Sequence, residues 1–434
     1  IGWQMLAFVA CVGIVITVLF GLAPAWRASG VSPHEALKAG GLKQSARIGL
    51  LRPMLASQVG FSFVVLFIGG LLLLSFRKIM DVDLGFSKDR VALVDIGTKD
   101  SAMKDHPDVT ALELLDTVRG IPGVEAAGLS STGLIGGNFA WVVTASIRFP
   151  GHELESIKPR FLQVSPGFME TMQIKLLDGR DFAPRDMAPG SIAVLVNEEF
   201  VHRYLAGENP IGKRFERSME DSKLAPRQIV GVVRNAKYNN LREATAPTVY
   251  ESWGYPAGTL EVRAAEKPIA LAAALRELVP RVNSGLRVDN ITTQSERINN
   301  TLLRERLLAL LAAFFTVIAV VLAAIGLYGV LSYAVVRRTK EIGIRMALGA
   351  RRMVVMRLVV SDVTLVIAGG LAAGIAAGLA LGRFVVALLF EVKPSDFWSL
   401  ALPLSCLLLA SGMAAIPPVF RAARVDPVAA LREE

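Results

Sequence analysis

The chain has 434 residues, of which 53% are hydrophobic and only 20% are charged. This composition excludes an ordinary soluble protein and predicts a polytopic membrane protein. The formal net charge of +9 is also typical of nucleic-acid-binding proteins. Here, however, much of the excess lies in loops predicted to face the cytoplasm, where topology and anionic lipids account for it.

Five long apolar runs without a charged residue predict five transmembrane helices. A helix needs about 20 residues to cross the roughly 30 Å hydrocarbon core of a bilayer. The chain opens inside the first run, with neither an initiator Met nor a basic segment before it, so we expect a fragment of a longer protein and no signal peptide. The runs are residues 1–26, 53–76, 307–336, 363–382 and 397–420.

The basic residues predict the orientation of these spans, because short cytoplasmic loops are enriched in Lys and Arg. The connection over residues 27–52 and the tail after residue 420 are basic, so both are predicted to face the cytoplasm. Loop 390–396 has Lys393 as its one basic residue and is predicted to face outside. The long polar stretch 77–306 is therefore predicted to lie outside the cytoplasm.

This outer stretch is predicted to be a mixed α/β domain, because strand-like runs alternate with short helical patterns. Asp108 is a candidate N-cap for a helix that continues to Val118 and ends before Gly120. Residues 295–306 are polar but favour helix, and we interpret them as a stalk that runs unbroken into the span at Leu307; an ordinary connector is the alternative. The predicted strands are 91–96, 124–129, 160–164, 192–196 and 229–233.

Between the third and fourth spans lies a basic loop, residues 337–352, in which Glu341 is the one acidic residue. Ile342, Met346 and Ala350 are spaced four apart, as on one face of a helix. This order favours a short helix that lies against a partner protein. A simple topology signal is the alternative.

Segments 24–38 and 418–432 align without gaps and share seven of fifteen positions, including two prolines at the same offset. An internal repeat of this kind indicates a duplicated unit. We therefore expect the last helix of one unit, followed by a linker and a complete second unit.

Several segments together resemble FtsX-like and MacB-like ABC transporter permeases. Residues 341–350 resemble the family's loop between its second and third helices, and residues 164–171, 178–182 and 209–215 resemble the periplasmic core domain of MacB-like permeases. In that family the loop implies a helix that couples the permease to an ATPase. The implied coupling residues are Glu341, Ile342, Gly343, Ile344, Arg345, Met346, Ala347, Leu348, Gly349 and Ala350.

The resemblance implies a division of the chain into five parts. Residues 1–26 would be the last helix of a preceding FtsX-like unit, 27–52 a cytoplasmic linker and 53–76 a transmembrane helix. Residues 77–300 would be a MacB-like periplasmic core domain, and 301–434 an FtsX-like permease domain with three helices. The implied location is the bacterial inner membrane, crossed several times.

The resemblance also implies a function: a permease subunit that couples ATP hydrolysis to mechanical movement of its periplasmic domain, for export or another envelope process. The implied partners are a dimeric ATPase that binds ATP–Mg, a companion FtsX-like unit, membrane lipid, and a periplasmic adaptor or outer-membrane component. Nucleic acid is not expected as a partner. One alternative is a regulator that activates an envelope enzyme such as a peptidoglycan hydrolase, and another is a sensor without an ATPase.

Four glycines recur every four residues along one face of the fourth span, and they predict a seam of close helix packing. In lipid, helices associate where small residues let their backbones approach. The seam would face either the companion unit or a helix of the same unit; mere tolerance of glycine in membrane helices is the alternative. The glycines are Gly370, Gly374, Gly378 and Gly382.

No enzymatic activity is expected of the chain itself. Residues 207–214 resemble a phosphate-binding P-loop, but Arg214 stands where Ser or Thr would hold Mg²⁺ and Pro210 lacks an N–H, so we interpret them as a structural turn. The four histidines are scattered, and no metal site is predicted. Cys11 and Cys406 both lie in apolar runs and are predicted to be small buried hydrophobic residues rather than a disulfide or metal pair.

Overall fold

The computed structural model describes residues 44–98, 107–136, 143–188, 190–218, 224–252, 257–337, 348 and 352–423. The predicted first span at residues 1–26 and most of the repeat lie outside these ranges. The chain divides into two compact units. The helical unit comprises Ile1–Leu71, Ala312–Ala387 and Lys393–Glu434, and the sheet unit comprises Leu72–Leu311 and Leu388–Val392.

The helices of the described ranges are numbered in chain order. They are α1 (Gln44–Met80), α2 (Pro107–Arg119), α3 (Phe168–Met172), α4 (Glu198–Tyr204), α5 (Ala272–Val282), α6 (Gln294–Thr301), α7 (Leu303–Arg337), α8 (Arg352–Val385) and α9 (Phe397–Ala423).

The strands of the described ranges are numbered likewise. They are β1 (Val91–Thr98), β2 (Val124–Ser130), β3 (Val143–Thr144), β4 (Ile147–Arg148), β5 (Arg160–Val164), β6 (Leu176–Gly179), β7 (Ala193–Asn197), β8 (Arg214–Ser218), β9 (Leu224–Val233), β10 (Thr248–Ser252), β11 (Gly258–Ala264) and β12 (Leu286–Thr293).

Among the described residues, four helices are long and apolar enough to cross a membrane, at Pro53–Met80, Leu303–Tyr333, Thr364–Leu388 and Phe397–Arg421. They coincide with four of the five predicted spans, and the fifth lies outside the described residues. Helix α1 begins at Gln44, inside the segment predicted as a linker, and it continues through Gly49 and Pro53 into the apolar run.

The sheet unit contains one mixed sheet in the order β12-β1-β11-β2-β5-β10-β7-β9-β8-β4, with β3 paired to β5 and β6 paired to β9. Its two halves meet where β2 and β5 share the register pair Ser130↔Val164. All five predicted strands and the predicted helix are present, so the mixed α/β prediction is confirmed. The sequence analysis missed the C-terminal strands β10, β11 and β12.

Strand β1 separates two apolar cores, because alternate side chains of a strand point to opposite faces. Val91 and Leu93 enter a core that also contains Ile298 and Leu302. Ala92, Val94 and Ile96 enter the other core, beneath α2 and α5. Both faces of this strand are thus buried, which explains its continuous apolar run.

The stalk is not the single unbroken helix that the sequence predicted. Helix α6 ends at Thr301, and its C-cap residue Leu302 (φ −93°, ψ 4°) precedes the start of α7. The side chain of Leu302 is buried in the core of the sheet unit, whereas Leu303 is exposed. The break lets α6 keep its core contacts while α7 begins separately.

Candidate functional site: helix packing and the stalk junction

The predicted coupling loop lies almost entirely outside the described residues. Of its ten residues, the structure describes Leu348, whose side chain is 83% exposed. The loop follows α7, which ends at Arg337, and precedes α8, which begins at Arg352. Its role in coupling therefore stays a prediction.

The glycine face of α8 packs mainly against α1. A Cβ at Gly370 would lie 2.5 Å from Ala56 O, and one at Gly374 would lie 2.8 Å from Gly60 O. Real Cβ atoms do not approach backbone oxygens so closely, so these positions admit only glycine without a shift. The sequence left two possible partners for this glycine face, the companion unit or a helix of the same unit. In the structure the partner is α1, a helix of the same chain.

The other two glycines of this face have more room. A Cβ at Gly378 would lie 3.1 Å from the ring of Phe67, and one at Gly382 would lie 3.3 Å from Pro394 Cβ. The helices are therefore tightest at Gly370 and Gly374. There the backbones themselves are in contact, which is how small residues hold membrane helices together.

On another side, α1 binds α7 through polar side chains. Gln58 Nε2 donates to Leu322 O at 2.8 Å, and Ser62 Oγ donates to Ala319 O at 3.3 Å. A Cβ at Gly326 would lie only 2.4 Å from Gln58 Oε1, so that glycine makes room for the amide. The sequence analysis missed this contact. Its signal was the pair Gln58 and Ser62, one helical turn apart in an apolar run.

The sheet unit holds the ends of two of these helices in a cluster that we call the stalk junction: Ser75, Lys78, Arg242, Glu305 and segment 388–391. Arg242 lies 3.4 Å from Glu305 of α7, and it donates to Leu388 O at 3.2 Å. Their side chains are 26% and 13% exposed, so the pair is largely shielded from water.

Helix α1 is bound to the same cluster. Ser75 Oγ accepts from Phe390 N at 2.9 Å, and Lys78 Nζ donates to Glu391 O. Arg242 Nε and Glu305 Oε2 are buried without a hydrogen-bond partner among the described residues. The junction thus joins α1, α7 and the loop after β9 through polar contacts that are costly to break.

In the P-loop-like turn, residues 207–214, backbone N–H groups already donate hydrogen bonds within the protein. Gly212 N donates to Ile229 O at 2.8 Å, and Ile211 N donates to Asn209 Oδ1 at 3.0 Å. Lys213 forms an ion pair with Glu208. These groups are therefore not free to surround a phosphate. Within the described ranges, no group of three or more His, Cys, Asp or Glu residues is arranged to hold a metal ion.

The architecture defines a class of protein: a helical membrane protein with a folded mixed-sheet unit between its first and second described spans. Residues 313–427, which contain α8, α9 and most of α7, match the family model described as FtsX-like permease C-terminal. This part of the chain is therefore similar to the FtsX-like permease family.

Two curated relatives are ABC permeases. The chain is 32% identical over 180 residues to the pyoverdine export ATP-binding/permease protein PvdT of Pseudomonas syringae pv. tomato, covering 41% of this chain and 27% of that protein. It is 30% identical over 289 residues to the macrolide export ATP-binding/permease protein MacB 1/2 of Paracoccus denitrificans, covering 62% of this chain and 41% of that protein. The chain thus spans less than half the length of either relative.

Two solved structures align with part of the chain. The periplasmic region of MacB from Actinobacillus actinomycetemcomitans aligns with a TM-score of 0.35 and 14% identity, over 52% of this chain and 97% of that one. The extracellular domain of the noncanonic ABC-type transporter YknZ from Gram-positive bacteria aligns with a TM-score of 0.31 and 15% identity, over 46% of this chain and 100% of that one.

Proposed function

We propose that this chain is the permease part of an ABC transporter in the bacterial inner membrane, with its sheet unit in the periplasm. The observation that carries the proposal is the family match over residues 313–427. The relatives named above are export proteins that combine ATP-binding and permease functions. We infer that an ATPase outside these 434 residues binds ATP–Mg, and that the chain itself hydrolyses nothing.

The proposed work of the permease is mechanical. Helices α1 and α7 each have residues in both compact units, so each is a continuous path for movement. Shifting a two-state element from 1:99 to 99:1 requires about 5.5 kcal/mol of differential free energy. ATP-driven closure of the ATPase would act on residues 341–350, and α1 and α7 would transmit the displacement to the stalk junction.

The proposed partners follow from this mechanism. They are a dimeric ATPase beneath the loop, a companion FtsX-like unit, and an adaptor or outer-membrane component that meets the sheet unit. Ile342 and Met346 would be the apolar anchors of the ATPase interface, since buried apolar contacts at the centre of an interface dominate its energy.

The experiment is co-purification of the full-length protein with its ATPase in lipid nanodiscs, combined with the ATP hydrolysis rate of the complex. Glu341→Lys and Met346→Glu should abolish binding or uncouple hydrolysis without reducing membrane insertion. Arg352→Glu, at the rim, should weaken binding in a salt-sensitive manner only. Binding and rates equal to wild type in both central variants would falsify the coupling assignment.

A further inference from the structure

Helix α6 is fixed to the sheet by a buried ion pair. Arg297 Nη2 donates to both carboxylate oxygens of Asp95 on β1, at 2.7 and 2.8 Å. The two side chains are 7% and 4% exposed. Arg297 is the cationic residue of α6, and its neighbour Ile298 enters the apolar core. Removing either partner of such a pair leaves the other charge buried and uncompensated.

A second carboxyl group lies on the same face of the sheet. Asp95 pairs in register with Thr259, so Thr259 and Glu261, two residues further along β11, point to the side that Asp95 occupies. Glu261 is fully buried. Ser130 Oγ donates to its Oε1 at 2.6 Å.

Burial is the main reason that the pKa of Glu261 is raised to about 8, which favours the neutral carboxyl group at pH 7. The neighbouring Asp95 acts in the same direction. The hydrogen bond from Ser130 and the charge of Arg297 lower the pKa but do not outweigh burial. Arg297 thus forms its ion pair with Asp95, and the carboxyl group of Glu261 lies on the same face of the sheet.

Both side chains keep an unused polar atom. Arg297 Nη1 and Glu261 Oε2 are buried without a hydrogen-bond partner in the part of the chain that the structure describes. Gly133 lies next to Arg297 and Ser130. A Cβ on Gly133 would lie 2.9 Å from Arg297 Nη1, and the N–H of Gly133 donates to Ser130 Oγ at 2.8 Å. Among the described residues, the cluster therefore contains one N–H donor and one carboxyl oxygen without a hydrogen-bond partner. Their hydrogen bonding can change when Glu261 loses its proton.

We propose that Arg297 is the positioning residue of α6, holding this helix on the sheet through Asp95, and that Glu261, buried on the same face of the sheet, makes this attachment sensitive to pH. Helix α6 leads into α7, and the role of α7 in transmission rests on the function proposed above. The attachment itself does not, since it concerns the sheet unit alone.

The direction of the pH dependence follows from burial. When α6 lifts, water reaches the cluster and the desolvation that holds the proton on Glu261 is relieved. The lifted state then favours the ionised carboxylate. Lifting becomes easier as the pH rises toward 8, by up to tenfold per pH unit for one proton. The charged groups that act on Glu261 are Asp95 from β1 and Arg297 from α6.

The first test is hydrogen exchange of the full chain in nanodiscs, read by mass spectrometry over residues 294–302. Arg297→Met and Asp95→Asn should each raise exchange of this segment at least about tenfold, as expected for a broken buried pair. Arg297→Lys, which keeps the charge but has a shorter side chain and no guanidinium group, should give a smaller increase. The matched control is Arg287→Met, which removes an exposed pair with Asp289 on β12. Control-level exchange in Arg297→Met and Asp95→Asn overturns the assignment.

The second test asks whether the protection of α6 depends on the proton of Glu261 rather than on side-chain packing alone. In wild type, the protection of α6, corrected for intrinsic exchange, should fall at least about threefold between pH 6.5 and 8.5. Glu261→Gln should remove this dependence, while Glu125→Gln, an exposed glutamate of β2, should retain it. A wild-type pH profile in Glu261→Gln overturns the role of Glu261. Neither test requires an ATPase, so both are independent of the proposed transport function.

Discussion

Gly374 of α8 and Gly60 of α1 face each other so closely that a Cβ on Gly374 would lie 2.8 Å from the carbonyl oxygen of Gly60. The α1 side is equally tight, because a Cβ on Gly60 would lie 3.0 Å from Gly370 O and 3.6 Å from Gly374 N. Backbone-to-backbone contact of this kind leaves no flexible side chain that could yield. The contact is therefore a sensitive position in the helical unit.

Gly374→Leu should destabilise the helical unit by about 1–3 kcal/mol or prevent its assembly, since overpacking a close contact costs that much. The measurement is thermal unfolding in detergent. The matched control is Gly369→Leu on the same helix, because a Cβ at Gly369 meets nothing within 4 Å. Equal effects of the two substitutions would contradict a specific seam.

The hydrogen bond from Gln58 to Leu322 O should contribute about 0.6 kcal/mol, the average for such bonds between membrane helices. Gln58→Leu should lose this bond and also press on Gly326, so the expected loss reaches about 1–2 kcal/mol. Ser62→Ala should be milder, because its bond is longer at 3.3 Å. A variant Gln58→Leu as stable as wild type would show that the amide contributes nothing.

At the stalk junction, Arg242→Met should destabilise the sheet unit by about 1–3 kcal/mol, because the shielded Glu305 then has only the mostly exposed Arg304, at 3.5 Å, as a cationic neighbour. Arg234→Met is the control, since its pair with Asp83 is mostly exposed and should contribute about 0–1 kcal/mol. Denaturant unfolding of the full chain followed by tryptophan fluorescence measures both. A loss in Arg234→Met as large as in Arg242→Met would argue against a special role for the junction.

The orientation of the chain is tested by thiol labelling in intact spheroplasts. Cys11 and Cys406 are first replaced by serine, because Cys406 is exposed. A cysteine at Ser395 should then react with an impermeant reagent, and one at Ser45 should not, since the basic loops predict a cytoplasmic face for residues 27–52. The reverse pattern would invert the proposed topology.

Sequence reasoning identified the described spans and the predicted strands because both depend on local patterns. A run without charges is long enough to cross a bilayer whatever surrounds it, and strands 91–96 and 160–164 are apolar enough to be recognised alone. Of the strands that were missed, β12 was hard to recognise because it is largely polar along its length. Its place in the sheet depends on pairing with β1, which is distant in the chain.

The glycine face of α8 was visible in the sequence, but its partner was not. Spacing of four along a helix defines a face, whereas the identity of the opposing helix depends on the packing of the whole unit. Gln58 and Ser62 illustrate the same limit. Each is an unremarkable polar residue until α7 brings a carbonyl oxygen within hydrogen-bond distance.

The sequence by itself determined the class of this protein: how much of it is apolar enough for the membrane, which loops are basic, and which motifs resemble a permease family. These are additive properties of neighbouring residues. Only the tertiary structure decided that α8 packs on α1, that α6 breaks at Leu302, and that Arg297 meets Asp95 and Glu261. Those contacts join residues as far apart in the chain as Ala56 and Gly370. Their energy comes from excluding water around charges and backbones, which no local pattern encodes.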